Sequence, residues 1–406
     1  METTLHHTTP IPIARPTLVG DELARLEAAL ASGWVSMGPV TQQFEAAVCD
    51  YTGSRFAVAV NSCTSAIHLA MLVHGIGRGD EVICPSYSFI ATANGVMHAG
   101  AQPQFADIDP DTLNLCPQAL RRLIADCYVA DETTGTWRNR TTGNTLKGIL
   151  LVHQIGIPGD IDAFRLLAEE FNLVLMEDNA CGLGSTYKNA PLGSSGLTGM
   201  LSFHPRKVIT TGEGGMLLIG DETLAEKARV LRAHGMSLSD LARHASGSTT
   251  FEAYHVVGYN YRLNDLQASL GLSQMEALDS FIERRRVIAA QYDAAFSGLP
   301  GVSVIQPPAY VTRWNVQSYP IRLLNATVMQ RNALMQALDA EGIATRRGIP
   351  PIHREPVYAE NADVTLPHAG LPNTEAVSAQ SVFLPIFPTL RDEDVARVIE
   401  AVRRYV

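Results

Sequence analysis

At 406 residues the chain is long enough for two or three domains and a large buried core. Hydrophobic residues make up 46% and charged residues 18%, ordinary globular values that exclude disordered and fibrous architectures. Lys and Arg number 31 against 41 Asp and Glu, so the formal charge of -10 argues against a general attraction to nucleic acid or anionic lipid, while leaving room for a local basic pocket. The N-terminal METTLHHTTPIPIARP has no apolar stretch of signal-peptide length, and no later run reaches the roughly 18 apolar residues of a membrane helix. A cytoplasmic location is expected, where the six scattered cysteines, lacking any C-x-x-C, would be free thiols. The sequons at Asn139 and Asn325 are then chance matches.

In chain order, strands are expected at Phe56 to Val60, Glu81 to Cys84, Pro103 to Ala106, Gly148 to His153, Leu173 to Met176, Met200 to Phe203 and Gly215 to Ile219. Amphipathic stretches lie between them, the pattern of helices covering both faces of a mainly parallel sheet. Thr64 to His74, with Ile67, Leu69, Leu72 and Val73, reads as a helix opening directly after a strand, which makes a natural anion site. The polar segment Ala130 to Lys147 reads as an inserted surface excursion in the form of a hairpin. After Arg262 the pattern turns helical, with Leu266, Leu270, Met275, Leu278 and Ile282 near helical spacing; the run Arg284 to Arg286 reads as a solvated helix face. Strands near Gln317 to Leu323 and Ile343 to Thr345 bracket a helix over Thr327 to Glu341, and Asp392 to Tyr405 closes the chain as a helix. This tail reads as a smaller α/β domain.

The chain carries no G-x-x-x-x-G-K-[ST], H-E-x-x-H or helix-opening G-x-G-x-x-G. Instead, Asn61 to Ala66, Pro85 to Phe89, Met176 to Cys181 and Ser202 to Gly215 each follow an expected strand, so a parallel sheet would gather them at its C-terminal edge. Alone, Lys207 reads as an anion-contacting or solvated lysine, Asp178 as a cap, Thr64 and Ser65 as caps, and Phe89 as core. Together they supply a covalent anchor, a carboxylate for a pyridine nitrogen, a phosphate cradle completed by Ser202, and an aromatic platform for a flat ring. That set suits pyridoxal 5'-phosphate (PLP), a cofactor whose protonated ring is an electron sink.

Those segments, with Gly33-Trp34-Val35-Ser36-Met37-Gly38-Pro39, Gly79 to Pro85, Gly258 to Ala268 and Leu384-Pro385-Ile386, resemble the DegT/StrS family of PLP-dependent sugar aminotransferases over nearly the whole chain. The resemblance implies the aspartate-aminotransferase type of fold: a large PLP-binding domain with an N-terminal arm over 1–260, its mainly parallel sheet sandwiched by helices, and a small C-terminal α/β domain over 261–406. It implies Lys207 as the Schiff-base lysine and acid/base, Asp178 at the pyridine nitrogen, Phe89 over the ring, and Thr64, Ser65 and Ser202 at the phosphate. It further implies a homodimer with shared sites in which Asn260 reaches the partner subunit's cofactor phosphate, with Trp34 at the entrance. His353 matches a position near the substrate, although a surface-turn histidine is an equal reading. Two departures stand out: Cys63 replaces a common Gly, and Cys181 replaces a Gln or His beside the cofactor, where a thiol is a weak donor.

The expected activity is transfer of an amino group from an amino acid, glutamate by analogy, to a keto-sugar, most simply nucleotide-linked. The alternatives are a ketocyclitol or other small ketone as acceptor, or a regulatory PLP-binding protein that turns nothing over. A PLP-dependent sugar dehydratase would carry His where this chain has Lys207.

Overall fold

The apolar runs of the first half become strands because they are short, continuous and separated by helices, which is what burial on both sheet faces demands. In the computed structural model, which describes residues 9–236 and 253–406, eleven strands precede residue 220. They are Phe56–Val60 (β1), Asp80–Pro85 (β2), Gln102–Ala106 (β3), Tyr128–Asp131 (β4), Thr136–Asn139 (β5), Thr145–Val152 (β6), Val174–Asp178 (β7), Thr186–Tyr187 (β8), Ala190–Pro191 (β9), Thr198–Ser202 (β10) and Gly215–Ile219 (β11). The large sheet has the order β1-β11-β10-β7-β6-β2-β3. From β10 to β3 its neighbours run parallel, whereas β11 is antiparallel to both β10 and β1. Met176, Met200, Leu150 and Leu217 on one face and Leu151, Leu175 and Ile149 on the other are covered by helices and buried.

The polar insertion is a hairpin of β4 and β5 that joins the large sheet, Trp137 pairing with Leu146 of β6. Its anchor is a charge inside the protein. Glu81 is fully buried and accepts from Tyr128 Oη at 2.6 Å, Asn139 Nδ2 at 3.0 Å and Thr142 Oγ1 at 2.7 Å. A buried carboxylate is tolerated where donors satisfy it, and two of these, Asn139 and Thr142, come from the insertion, with Tyr128 just before it.

The helix Asp265–Phe296 belongs to two cores. Leu278, Phe281 and Ile282 pack with Phe44 and Phe203 under the large sheet, while Ile288, Tyr292 and Phe296 pack with Tyr319, Leu384 and Val398. Its first residue also caps another helix: the Asp265 carboxylate accepts from Gly38 N, Thr41 N and Thr41 Oγ1 at the start of Pro39–Thr52. Gly38 is required there, because a Cβ would meet Asp265 Oδ2 at 2.7 Å and the Trp34 ring at 3.0 Å.

The second sheet has the order β12-β14-β16-β15, from Val302–Val304 (β12), Tyr319–Leu323 (β14), Arg346–Arg347 (β15) and Ser381–Leu384 (β16); Val311–Arg313 (β13) pairs instead with β8. The expected helix at Thr327 to Glu341 is Val328–Ala340, opened by a Thr327/Gln330 capping box. Two expectations need correction. Ile343 lies in no strand but makes a parallel bridge to Ile11 of the N-terminal arm, a pairing between distant residues, and the strand follows at Arg346. Nor is the whole of Arg284 to Arg286 a solvated face: Arg286 is exposed, but Arg285 is 2% exposed and donates to the carbonyls of Val316, Gln317 and Ile386, because that side of the helix faces the second core. None of the six cysteines forms a disulfide. Among the described residues no helix is long and apolar enough to cross a membrane.

Candidate active site

Only two residues separate the end of β1 from the helix Cys63–Val73, so the unpaired amides of the helix open at the sheet edge. Its N-cap is Ser62, whose Oγ accepts from Ser65 N at 3.1 Å; Thr64 and Ser65 sit in the first turn rather than at the cap. The Ser65 hydroxyl donates to Asn61 Oδ1 at 2.7 Å, which fixes the turn from within. Gly215 at the start of β11 presses against this turn, and a Cβ there would overlap the backbone of Ser62 and Cys63. Gly215 is paired with Ser202, so the helix start and the Ser202 end of β10 lie side by side.

Asp178 ends β7 and is 3% exposed. Its Oδ1 accepts from Ala180 N at 3.0 Å and its Oδ2 from Thr92 Oγ1 at 2.8 Å, while Thr92 lies 2.8 Å from Ser88 Oγ. Its local contact is thus a tight turn, not a helix cap. Phe89, on the loop after β2, is 67% exposed, which removes the core reading and leaves an aromatic face open at the same edge.

Lys207 stands on the loop between β10 and β11, which is pinned at both ends. Phe203 N donates to Gly214 O at 3.0 Å, Thr211 N to Phe203 O at 3.0 Å and Lys207 N to His204 O at 2.8 Å. Gly212, with φ of 81°, supplies the left-handed residue that this closed loop needs. Lys207 Nζ donates to Cys181 Sγ at 3.1 Å, and both line a small, open concavity with Ala180, Leu183, Ser202 and Val208.

The charges here act on one another. Burial by itself would depress the Lys207 amine, but the Cys181 sulfur at 3.1 Å first, and then the Asp178 carboxyl group, hold it above the ordinary lysine value. Burial pushes the Cys63 thiol well above the usual range, Asp178 adds to this, and Lys207 opposes it. Asp178, Lys207, Cys63 and Cys181 therefore form one electrostatic cluster.

The remaining expected residues are Asn260, Trp34 and His353. Asn260 is exposed on a segment that runs along the chain's own β1: Asn61 Nδ2 reaches its carbonyl at 3.4 Å, and Arg262 bridges Val60. Trp34 is half-buried against Gly38. His353 is not a surface-turn residue. It is 6% exposed, with Nδ1 at 2.7 Å from Ser86 Oγ and Nε2 at 3.1 Å from Glu375 Oε1, and burial pulls its pKa down. A carboxylate accepts at Nε2, so Nε2 carries the proton and Nδ1 accepts from Ser86. Both ring nitrogens are thus engaged within the chain.

Sequence reasoning missed Thr92, Ser62, Ser86 and Glu375. Ser62 had a signal, a serine just before the apolar helix pattern, whereas Thr92, Ser86 and Glu375 are brought to their partners only by tertiary contact.

The residues present fit PLP. An amine and a carboxylate share one electrostatic cluster beside a helix N-terminus with open amides, and a glycine admits close backbone approach where a phosphate would sit. The fold and this site define a PLP-dependent aminotransferase. Solved structures of such enzymes superpose on nearly the entire chain. DesV of S. venezuelae, in complex with a ketimine intermediate, is 30% identical with a TM-score of 0.84, covering 98% of this chain and 99% of its own. The aminotransferase TlmJ of Streptoalloteichus hindustanus is 32% identical with a TM-score of 0.83, covering 98% of both chains. PseC of Helicobacter pylori, an aminotransferase involved in the biosynthesis of pseudoaminic acid, is 26% identical with a TM-score of 0.85, covering 98% and 99%. The chain belongs to the DegT/DnrJ/EryC1/StrS aminotransferase family, whose model matches residues 16–403.

Proposed function

We propose that the protein transfers the amino group of an amino acid, glutamate, to the ketone of a nucleotide-linked keto-sugar. Similarity to enzymes such as CalS13 of Micromonospora echinospora, a sugar aminotransferase 27% identical with a TM-score of 0.82, supports the sugar acceptor. The observation that carries the reading is the gathering of Lys207, Asp178 and the Cys63–Val73 helix N-terminus at one sheet edge.

Bound PLP supplies the electron-withdrawing ring on which an amino group can be carried from donor to acceptor. Lys207 would anchor the cofactor covalently and, once released, its amine would serve as the acid and base of the 1,3-proton shift, taking the proton from the donor's α-carbon and giving one to the acceptor's former carbonyl carbon. Asp178 sets its negative charge against the ring nitrogen and keeps it protonated. The amides of the helix start, with the Thr64, Ser65 and Ser202 hydroxyls, hold the phosphate. Phe89 covers the ring face. Cys181 lies beside Lys207, where a thiol makes weaker hydrogen bonds than the usual amide or imidazole. Trp34 lines the entrance, and His353, held by Ser86 and Glu375, positions the wall on the substrate side. In a homodimer, Asn260 would complete the phosphate site of the partner.

The test is to convert the protein to its pyridoxamine form with glutamate and screen 3-keto and 4-keto nucleotide sugars for return of the PLP absorbance. Return with a nucleotide sugar is the expected result. Return only with a free ketocyclitol overturns the acceptor, and failure of the glutamate half-reaction overturns the donor.

A further inference from the structure

Cys181 and Lys207 sit on different loops, yet both are held. The Cys181 carbonyl accepts from Asn315 Nδ2 at 2.7 Å, and the Arg206 carbonyl accepts from Gln317 Nε2 at 2.9 Å. The 3.1 Å contact between Lys207 Nζ and Cys181 Sγ is thus set by the scaffold. Both residues are half-buried and line the same concavity, so a small neutral molecule can reach the sulfur. Aminotransfer calls for no thiol at this point.

We propose that Cys181 and Lys207 form a reversible sulfur–nitrogen cross-link when the protein without bound cofactor meets a hydroperoxide. In the first step the Cys181 sulfur attacks one peroxide oxygen; the S–O bond forms, the O–O bond breaks, the sulfur is oxidised by two electrons and, with hydrogen peroxide, water leaves. In the second step Lys207 Nζ attacks the sulfenic sulfur, forming the S–N bond as the S–O bond breaks, and the hydroxyl leaves as water with a proton from the amine. A thiol reductant reverses the sequence, opening S–N and restoring thiol and amine.

The surroundings favour this order. Cys181 is the first of the groups that keep the Lys207 amine charged against burial. Oxidation of the sulfur alters that 3.1 Å contact, and burial, which opposes the charge on the amine, then favours the neutral, nucleophilic form. Cys63 is the competing resolving group, but its thiol is pushed well up by burial and stays protonated, and the protonated form is a poor nucleophile. The consequence rests on the anchoring role proposed for Lys207: the cross-link ties up the amine that the cofactor needs, and bound cofactor protects it.

The experiment treats the full chain, with cofactor bound or removed, with hydrogen peroxide, then catalase, then N-ethylmaleimide under denaturing conditions. Intact mass and peptide mapping follow, with and without dithiothreitol. Expected for the cofactor-free chain is one N-ethylmaleimide adduct fewer and a peptide pair joining positions 181 and 207, about 2 Da lighter than the two free peptides together, abolished by dithiothreitol and suppressed in the holoenzyme. The pair should persist in Cys63→Ala and vanish in Cys181→Ser and Lys207→Met. Recovery of Cys181 as sulfinic or sulfonic acid with Lys207 free, or joined to Cys63, overturns the proposal. Borohydride fixation of the cofactor on another lysine would remove the protective consequence and leave the cross-link standing.

Discussion

Replacing Asp178 with Asn separates its charge from its shape. Oδ1 accepts from Ala180 N and Oδ2 from Thr92 Oγ1, whose oxygen also lies 2.8 Å from Ser88 Oγ in a contact that either hydroxyl can donate. An asparagine keeps Oδ1 on Ala180 and turns its Nδ2–H to Thr92, whose proton swings to Ser88. The hydrogen bonds survive, so the stability change should stay between a few tenths and about 1 kcal/mol. What disappears is a negative charge on a residue only 3% exposed. A charge pair near 4 Å in an effective dielectric of about 20 is worth about 4 kcal/mol. Each 1.4 kcal/mol of barrier is about tenfold in rate, so turnover should fall about thirtyfold even if only half of the interaction is felt in the transition state, and several hundredfold if all of it is. The assay combines thermal melting, PLP titration and single-turnover kinetics with the amino donor. Turnover within about threefold of wild type at saturating cofactor would leave Asp178 as the pin of a turn and refute the electrostatic argument.

Lys207→Ala should fold yet lose borohydride fixation of the cofactor, which peptide mapping of the wild type should place at Lys207; a label on a different lysine would displace it from the centre of the site. Mixing Lys207→Ala with Asn260→Ala subunits should regenerate activity, because one site of the mixed dimer keeps both residues, and no recovery after demonstrated exchange would confine Asn260 to its own chain. Asp265→Ala strips the cap from Pro39–Thr52 and leaves buried donors unpaired, so denaturant unfolding should show a loss of about 3 kcal/mol or more; a loss under about 1 kcal/mol would contradict the shared-cap account. His68 is 3% exposed, and burial, aided by His98, lowers its pKa from 6.5 to about 4. The unfolded chain therefore takes up the proton first as the pH falls, and stability present above 6.5 should drain away toward pH 4 by on the order of 3 kcal/mol; an equally steep profile in His68→Gln would assign the loss to other groups.

The residues themselves determined the strands of the large sheet, because continuous apolar runs of about five residues between helices have few ways to be buried other than as central strands. They also determined that Lys207, Asp178 and the Thr64–Ser65 turn would meet, since each follows a strand and parallel neighbours bring such ends to one edge. Arg285 and His353 show where local reading stops. Both look like surface cations in sequence, yet the carbonyls of Val316, Gln317 and Ile386 enclose one, and Ser86 with Glu375 encloses the other. Burial of a polar side chain depends on partners remote in the chain, and no local pattern encodes them. The same holds for Ile343, drawn from the second sheet by Ile11, and for Thr92, carried to Asp178 by the packing of its helix. Only the tertiary structure set Lys207 Nζ at 3.1 Å from Cys181 Sγ, since the loops after β7 and β10 approach each other through the register of two strands and the contacts that pin each loop.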